Sequence, residues 1–390
     1  MSPPDRRWMS PARWHCPQAT PLAPATCTWS LTLWMSSGML TAPTTSPAAP
    51  SSSLKLRAAP LDALRLRSLS AQPLNARSRA MRIGHISDLH ILAISDVRPW
   101  EYLNKRMIGG LNLLLNRSKA HSSVVVERAL EALDSLDVDH IVISGDLTNL
   151  ALDSEFAAAA EIIRSIESAS TRVSVVPGNH DYYTPGAARE GRFERHFKDF
   201  LKSDLPEYQL KRGYPFCHIR QDVAFVGLNS GLATPWLFAT GKVAEDELEQ
   251  AARMLDDERL KSRFKVVVVH HPLMADEHHR FSFNRRLLNA DEVLTTLRQK
   301  NVDLVLHGHN HYLSVLQVPK LGEPGTTFVC EAGSTSMEGG DPVMAGKFNI
   351  YTIEDGALAE IETHLFESHE SGFRPFRSEV FRQQVEEQAG

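Results

Sequence analysis

From residue 81 onward, short apolar and β-branched runs alternate with segments in which apolar residues recur at helical spacing. Short continuous apolar runs are typical of buried strands, and helical spacing is typical of a helix that buries one face. The pattern predicts strands at 82–87, 139–144, 172–176, 223–228, 265–269 and 303–306. It predicts helices at 121–136, 153–168, 186–202, 243–257 and 290–300. This alternation is typical of an α/β fold.

The pattern changes after residue 311. Four strand-like segments follow one another with turns between them, namely YLSVLQV, TTFVCEA, KFNIYTI and ALAEIETHL. The chain is therefore predicted to be α/β first and largely β afterwards. The charged residues 369–390 are predicted to form a peripheral tail outside a domain that spans 81–368.

The first 80 residues form a different kind of polypeptide. They hold 11 of the 22 prolines and nine basic against two acidic residues, a net charge of +7, whereas 81–390 carry −12. The run TAPTTSPAAPSSS has low complexity and predicts disorder. The segment is rich in Arg and Ser, as transit peptides are, but it lacks a clear amphipathic repeat. Because Met81 directly precedes a predicted strand, we favour a mis-called extension upstream of a start at Met81.

Cysteine usage and charge exclude several classes of protein. The four cysteines form no C-x-x-C pair, so neither a disulfide framework nor a thiolate zinc site is indicated. This usage suits a reducing compartment, and a cytoplasmic location is predicted. No apolar stretch reaches the roughly 18 residues needed to span a bilayer. The acidic balance of 81–390 argues against a nucleic-acid polymer as partner.

Polar residues follow five of the predicted strands. The clusters are DLH at 88–90, GD at 145–146, GNHD at 178–181, HHP at 270–272 and HGHNH at 307–311. Open α/β sheets build their sites just beyond the carboxyl ends of the strands. The five clusters are therefore predicted to converge on one place.

The clusters contain the ligand types that suit a divalent transition metal, namely carboxylate, amide oxygen and imidazole. The candidate ligands are Asp88, His90, Asp146, Asn179, His270, His309 and His311. A single tetrahedral site takes about four ligands, whereas seven with one shared carboxylate fit a two-metal centre. Each residue taken alone could instead serve a turn or a hydrogen-bonded pair, but five such coincidences in order favour the metal centre.

The five fragments D-x-H, G-D, G-N-H-D, H-x-P and G-H-x-H, in this order, resemble the calcineurin-like metallophosphoesterases. The motifs span roughly 81–311. The resemblance implies an α/β four-layer α-β-β-α sandwich. It also implies a dinuclear-metal-dependent phosphoesterase, in which a metal-bridging hydroxide attacks a phosphate ester. The implied metals are Mn, Fe or Zn, and the implied partner is a small-molecule phosphate ester.

The resemblance assigns roles residue by residue. One metal would take Asp88, His90, Asp146 and His311, and the other would take Asp146, Asn179, His270 and His309. His180 resembles the family histidine that contacts phosphate and protonates the leaving group. Asp181 is predicted to hold the other ring nitrogen of His180, so these two residues are the catalytic candidates.

The remaining histidines receive weaker assignments. His271 is a substrate-binding candidate together with His180, and His307 is interpreted as structural. The others are predicted to be surface or core residues, namely His85, His121, His140, His218 and the pair His278–His279.

Residues that differ between the branches of the family bear on the substrate. Purple acid phosphatases carry a Tyr ligand three residues after the shared Asp, where this sequence has Asn149. GDLTN, GNHD and HHP look closer to bacterial phosphodiesterases acting on cyclic nucleotides or glycerophosphodiesters. The alternatives are a phosphomonoesterase, a lipid-linked diphosphate hydrolase and, in another class, a non-enzymatic metal-binding scaffold.

The segment 97–121 mixes aromatic, leucine and basic residues. It could form a lid over the site or touch a membrane peripherally. A packed helix with solvated charges is the interpretation we prefer. The oligomeric state is left open.

Overall fold

Two six-stranded sheets form the centre of the fold. The structure is a computed structural model, which describes residues 79–93, 121–235, 238–274, 283–339 and 342–381. The strands of the first sheet are β1 (Met81–Ile86), β2 (His140–Ile143), β3 (Val173–Val175), β10 (Lys347–Glu354), β11 (Ala357–Ser368) and β12 (Gly372–Val380). Those of the second are β4 (Phe216–Arg220), β5 (Val223–Gly227), β6 (Phe264–Val268), β7 (Leu304–His307), β8 (Ser314–Pro319) and β9 (Thr326–Glu331).

Both sheets combine a parallel centre with antiparallel edges. The first sheet has the order β12-β11-β10-β1-β2-β3, with β1, β2 and β3 parallel to one another. The second has the order β4-β5-β6-β7-β9-β8, with β5, β6, β7 and β9 parallel. The parallel strands therefore direct their carboxyl ends to one edge of each sheet.

Seven α-helices of the described residues flank the sheets. They are α1 (Ser123–Ser135), α2 (Asp153–Arg164), α3 (Ala169–Arg172), α4 (Pro185–Glu190), α5 (Arg192–Phe197), α6 (Glu245–Leu255) and α7 (Ala290–Gln299). Three short 3₁₀ helices lie at Lys198–Leu201, Pro206–Tyr208 and Glu258–Leu260. No helix in the described part of the chain has the length and apolar character to cross a membrane.

The strands of the second sheet pack on both faces. In β6, Val266 and Val268 join a core shared with the first sheet, α1 and α2, whereas Val267 joins a second core with α6 and α7. Leu304 and Val305 of β7 divide in the same way. This alternation follows from the two-residue period of a strand. It produces four layers, α-β-β-α, and confirms the predicted fold class.

The predicted strands of the α/β part lie within one or two residues of those observed. The predicted helix 186–202 is instead divided at Gly191, which has φ +57° and ends α4. A left-handed glycine is a common end of a helix, so the chain restarts in a new direction as α5. Strand β4, next to β5, was not predicted.

Part of the predicted tail 369–390 belongs to the first sheet. Gly372–Val380 pairs antiparallel with β11 as the edge strand β12. Phe373 anchors it, since its ring lies 5.0 Å from that of Phe348 and 5.5 Å from that of Phe366. The predictions for 1–78, for 382–390 and for 97–120 concern residues outside the described part.

Candidate metal centre

The seven predicted ligands lie beyond the carboxyl ends of five strands. Those of the first sheet follow β1, β2 and β3, and those of the second follow β6 and β7. Five of the seven have a positive φ, namely Asp88 (52°), His90 (46°), Asp146 (51°), His309 (83°) and His311 (67°). Such backbone conformations are uncommon outside glycine and cluster at functional sites. The fold therefore holds these side chains in unusual local conformations at one edge.

Asp146, Asn179, His270 and His309 form the second ligand group. His270 Nδ1 lies 2.8 Å from the carbonyl oxygen of Ser144, and His309 Nε2 lies 2.8 Å from that of Arg285. A carbonyl only accepts, so both of these ring nitrogens donate a proton. In the neutral rings, His270 Nε2 and His309 Nδ1 then carry lone pairs, and they lie 3.2 Å apart.

Two side-chain oxygens also lie close to His270 Nε2. Asn179 Oδ1 lies 3.2 Å from His270 Nε2, and Asp146 Oδ2 lies 3.4 Å from it. Burial lowers the pKa of His270, but the Asp146 carboxylate outweighs this and raises it to about 9. The field at Nε2 therefore favours positive charge. One proton there satisfies one or two of these atoms, whereas a metal ion accepts all four lone pairs, so the donor set fits a metal.

Asp88, His90 and His311, together with Asp146, form the first ligand group. His311 Nε2 lies 3.2 Å from both Asp88 Oδ1 and His90 Nε2. Asp88 Oδ2 accepts the backbone N–H of His309 at 3.0 Å. Within the described residues, the buried His90 Nδ1 has no hydrogen-bond partner, and the buried Asp88 Oδ1 faces only the ring nitrogens of His311 and His90. A buried carboxylate oxygen left in this way is costly, and a bound cation would satisfy it.

Asp146 connects the two groups. Its carboxylate lies within 4.8 Å of ligand atoms of His270 and His309 and, separately, of His90 and His180. Oδ1 accepts the backbone N–H of His180 at 2.7 Å. Burial opposes its charged form, but His270 and His180 hold the pKa of Asp146 well below its usual range. Asp146 is therefore the one carboxylate placed to serve both groups.

His180 lies beside the groups. Its Nδ1 lies 2.8 Å from the carbonyl oxygen of Asn149, so Nδ1 donates and Nε2 carries the lone pair of the neutral ring. The ring stacks on Tyr183 at 5.4 Å and meets His90 edge-on at 4.9 Å. Asn149 also donates its side-chain amide to the carbonyl of His90. The residue at the tyrosine position of purple acid phosphatases thus supports the loops.

The predicted contact between Asp181 and the imidazole of His180 is not formed. Asp181 Oδ1 accepts from the amide and hydroxyl of Thr148 at 3.0 and 2.9 Å. Oδ2 accepts the amides of Leu147 and Gly178 at 3.2 and 2.9 Å. The carboxylate turns inward because these donors come from the two loops that carry Asp146 and Asn179. Asp181 is therefore a positioning residue.

The prediction that His271 binds substrate also requires correction. Its Nδ1 pairs with Ser230 Oγ at 2.8 Å, and its Nε2 lies 3.1 Å from the carbonyl oxygen of Ala239. The side chain is fully buried, and its ring lies 4.5 Å from that of His309. Both ring nitrogens are hydrogen-bonded within the protein. His271 therefore packs against His309 and supports its position.

Four of the remaining histidines lie buried in the core. His85, His140 and His218 are buried and hydrogen-bonded to side chains of the core. His307 is buried and its Nδ1 faces the carbonyl of Gly308. The pair His278–His279 lies outside the described residues.

Sequence reasoning missed two residues that adjoin the first group. His121 lies with its ring 4.7 Å from that of His90 and 5.8 Å from that of His311. Glu331 accepts the backbone amides of Asn310 at 2.8 Å and Tyr312 at 3.4 Å. Glu331 ends the apolar run of β9, and an acidic residue in that position is the signal that the sequence offers. His121 follows no strand and matches no motif.

The chain was compared with known proteins. No curated protein sequence matches it. Among solved structures it is similar to a dimetal phosphatase from Danio rerio, with 15% identity and a TM-score of 0.48, over 73% of this chain and 95% of that one. It is similar to purple acid phosphatase PPD1 from yellow lupin (Lupinus luteus) seeds, with 14% identity and a TM-score of 0.49, over 77% and 53%. With TM-scores below 0.5, these likenesses carry no argument about function.

A family model provides the stronger match. The calcineurin-like phosphoesterase model matches residues 81–313, which is more than half of the chain. The matched range includes all seven predicted ligands and His180. The chain belongs to the calcineurin-like phosphoesterase family.

Proposed function

We propose that the chain is a dinuclear-metal-dependent phosphodiesterase that hydrolyses a small-molecule phosphate ester. Its family comprises metal-dependent hydrolases of phosphate esters. The observation that carries the proposal is the position of Asp146 between two groups of converging lone pairs. Two metals that share a ligand fit the clamp required for an in-line displacement at phosphorus.

The contacts among the seven ligand residues assign each of them to one of the two metals or, for Asp146, to both. The first ligand group would hold one ion through Asp88, His90, His311 and Asp146, and the second would hold the other through Asp146, Asn179, His270 and His309. Bound metal ions supply charge that stabilises the phosphoryl oxygens and makes water a nucleophile near neutral pH. Imidazole and carboxylate ligands suit Mn, Fe and Zn alike.

His180 supplies the proton chemistry in this proposal. Its Nδ1–H is fixed by the carbonyl of Asn149, so Nε2 is the nitrogen that exchanges a proton. Stacking on Tyr183 fixes the plane of the ring. In its protonated form, which carries a second proton on Nε2, a histidine held in this way can donate that proton to the leaving alkoxide and return to the neutral ring.

Preference for a diester is supported by the motif residues. GDLTN, GNHD and HHP resemble the bacterial phosphodiesterases, and Asn149 supports a loop where the purple acid branch has a tyrosine ligand. A diester carries one negative charge, which two metal ions and His180 can compensate.

The test uses the full chain, freed of metal and reloaded with Mn²⁺. Hydrolysis of bis(p-nitrophenyl) phosphate is compared with that of p-nitrophenyl phosphate, with and without EDTA. We expect EDTA-sensitive turnover that favours the diester, and about two bound metal ions per chain. A preference for the monoester would reassign the protein as a phosphomonoesterase. Absence of turnover on diesters and monoesters by protein shown to hold two metals would favour the scaffold.

A further inference from the structure

A third imidazole adjoins the first ligand group. One ring nitrogen each of His90, His121 and His311 lies within 4.8 Å of the other two. The rings of His90 and His121 meet edge-on, as do those of His121 and His311. Three imidazole nitrogens this close together are within reach of one shared cation.

Residues from a distant part of the sequence hold His121 in this place. The amide of Ser122 donates to the carbonyl of Ser336 at 2.8 Å, and His121 forms an isolated antiparallel bridge with Met337. His121 Nδ1 lies 2.7 Å from Ser336 Oγ. The same hydroxyl donates to the carbonyl of Asp88 at 3.1 Å.

The hydroxyl of Ser336 determines the tautomer of His121. The carbonyl of Asp88 can only accept, whereas a histidine nitrogen can donate, so both contacts of Ser336 are satisfied when its one hydroxyl proton points to that carbonyl and its oxygen accepts from the ring. Nδ1 of His121 therefore donates to Ser336 Oγ, and Nε2 carries the lone pair. Metal-binding histidines show this arrangement, with one ring nitrogen fixed by a hydrogen bond and the other on the metal. The hydrogen bond also ties His121 to the loop of Asp88.

We propose that His121 is a further ligand of the metal at the first ligand group. This inference rests on the proposed function, since it concerns the same metal centre. Two nitrogens on one ion stand at most about 4.2 Å apart, because metal–nitrogen bonds are about 2.1 Å long. The separation of 4.8 Å or less therefore requires only a small rotation of a side chain.

The additional ligand makes the two sites unequal. The first ion has three imidazoles and two carboxylates, whereas the second has two imidazoles, one carboxylate and one amide oxygen. An ion held by five ligands would keep fewer positions for exchangeable groups, so an ion held by the second ligand group would be the more open to the phosphoryl oxygens. Three imidazoles also favour Zn or Fe over Mn at the first site.

The experiment measures metal binding by the full chain with the variants His121→Ala and His121→Gln. His369→Ala is the matched control, since His369 is exposed and makes no contact with either ligand group in the described residues. Apo-protein is titrated with Zn²⁺ against a competing chelator to resolve the two affinities. We expect one of the two affinities, the one that His311→Ala abolishes, to fall at least about tenfold in both His121 variants and the other to stay unchanged.

A second measurement counts ligands directly. Pulsed electron paramagnetic resonance of one Cu²⁺ per chain, an ion that favours the imidazole-rich first site, is expected to show three coordinated imidazole nitrogens in the wild type and two in His121→Gln. Three in both proteins, or two in both, would overturn the proposal. The wild-type spectrum decides even where His121→Ala fails to fold.

The two proposals fail in different ways. Unchanged metal affinities in the His121 variants, with reduced turnover, would place His121 on the substrate and overturn its role as a ligand. The wild type would still hold two metals and hydrolyse the ester in that case. Wild-type protein that binds no metal pair would instead refute the proposed function.

Discussion

The two ligand groups share Asp146 but are built in different ways. In the second group, backbone carbonyls of Ser144 and Arg285 fix the tautomers of His270 and His309. In the first group, the buried Nδ1 of His90 has no hydrogen-bond partner among the described residues. The four residues of the second group are buried, whereas His311 keeps 22% of its side chain exposed. One site is thus fixed by main chain, and the other by neighbouring side chains.

The difference indicates which contacts hold the ligand side chains of each group in place. The carbonyl of Ser144 directly follows β2 and moves with the first sheet, and that of Arg285 lies in the loop before α7, so main chain organises the second group before a metal binds. The first group depends on the loop after β9, where the hydroxyls of Ser334 and Ser336 both donate to the carbonyl of Asp88. We therefore expect substitutions to affect the first group through more routes than the second.

The largest effect on metal binding and on the rate is expected for a substitution of Asp146, which both groups share. Replacing Asp146 by Asn removes the shared charge and leaves a neutral oxygen for both ions. We expect both metals to be lost and the rate of ester hydrolysis to fall by about 10³-fold or more, since each metal supplies several kcal/mol of charge stabilisation. Elemental analysis beside the rate measurement provides the check. Retention of two metals by this variant would show that Asp146 is not shared.

The next prediction separates the groups. His309→Ala removes a ligand of the second group and His311→Ala one of the first, so each variant is expected to retain one metal and to lose about 10²-fold or more in rate. His307→Ala is the control, because His307 is buried but faces the carbonyl of Gly308. Equal loss of metal in all three variants would refute the assignment of His309 and His311.

His180 is expected to act on the reaction without holding a metal. The variant His180→Ala should keep both ions and lose about 10²-fold in rate, a typical contribution of a general acid. The loss should grow as the leaving alcohol becomes less acidic, because a poor leaving group needs the proton more. A series of aryl and alkyl diesters measures this dependence. The same loss for every leaving group would assign His180 to binding alone.

The ligand motifs were predictable because each is local. Asp88, Asp146 and Asn179 lie two to four residues after the ends of apolar strands, and parallel strands bring such ends together. The conformation of Asp181 was not predictable, since it depends on amides of the loop after β2 that the fold places beside it. His180 pairs instead with a carbonyl of that loop.

His121 shows the other limit of the sequence. It reaches the first ligand group through contacts with Ser336 and Met337, more than 200 positions along the chain. No spacing rule links residues at such a separation. The division of the helix at Gly191 was available from the sequence, because a glycine inside a helical pattern often marks an end.

Glu331 provides the smallest and most selective test of the comparison. Its buried carboxylate accepts the amides of Asn310 and Tyr312, which flank His311 and follow His309. Glu331→Ala leaves both amides without this acceptor, at a cost of about 1–3 kcal/mol each where they stay buried. Glu331→Gln is the matched control, because it keeps an oxygen acceptor of the same size.

The effect should fall unequally on the two ions. His309 has a second hold on its position through the carbonyl of Arg285, whereas His311 is followed directly by the amide that Glu331 accepts. We therefore expect Glu331→Ala to weaken the first metal about tenfold and the second less, with Glu331→Gln close to wild type. Chelator-competition titration resolves the two affinities. A larger loss at the second metal would reverse the contrast between a site fixed by main chain and a site fixed by its neighbours.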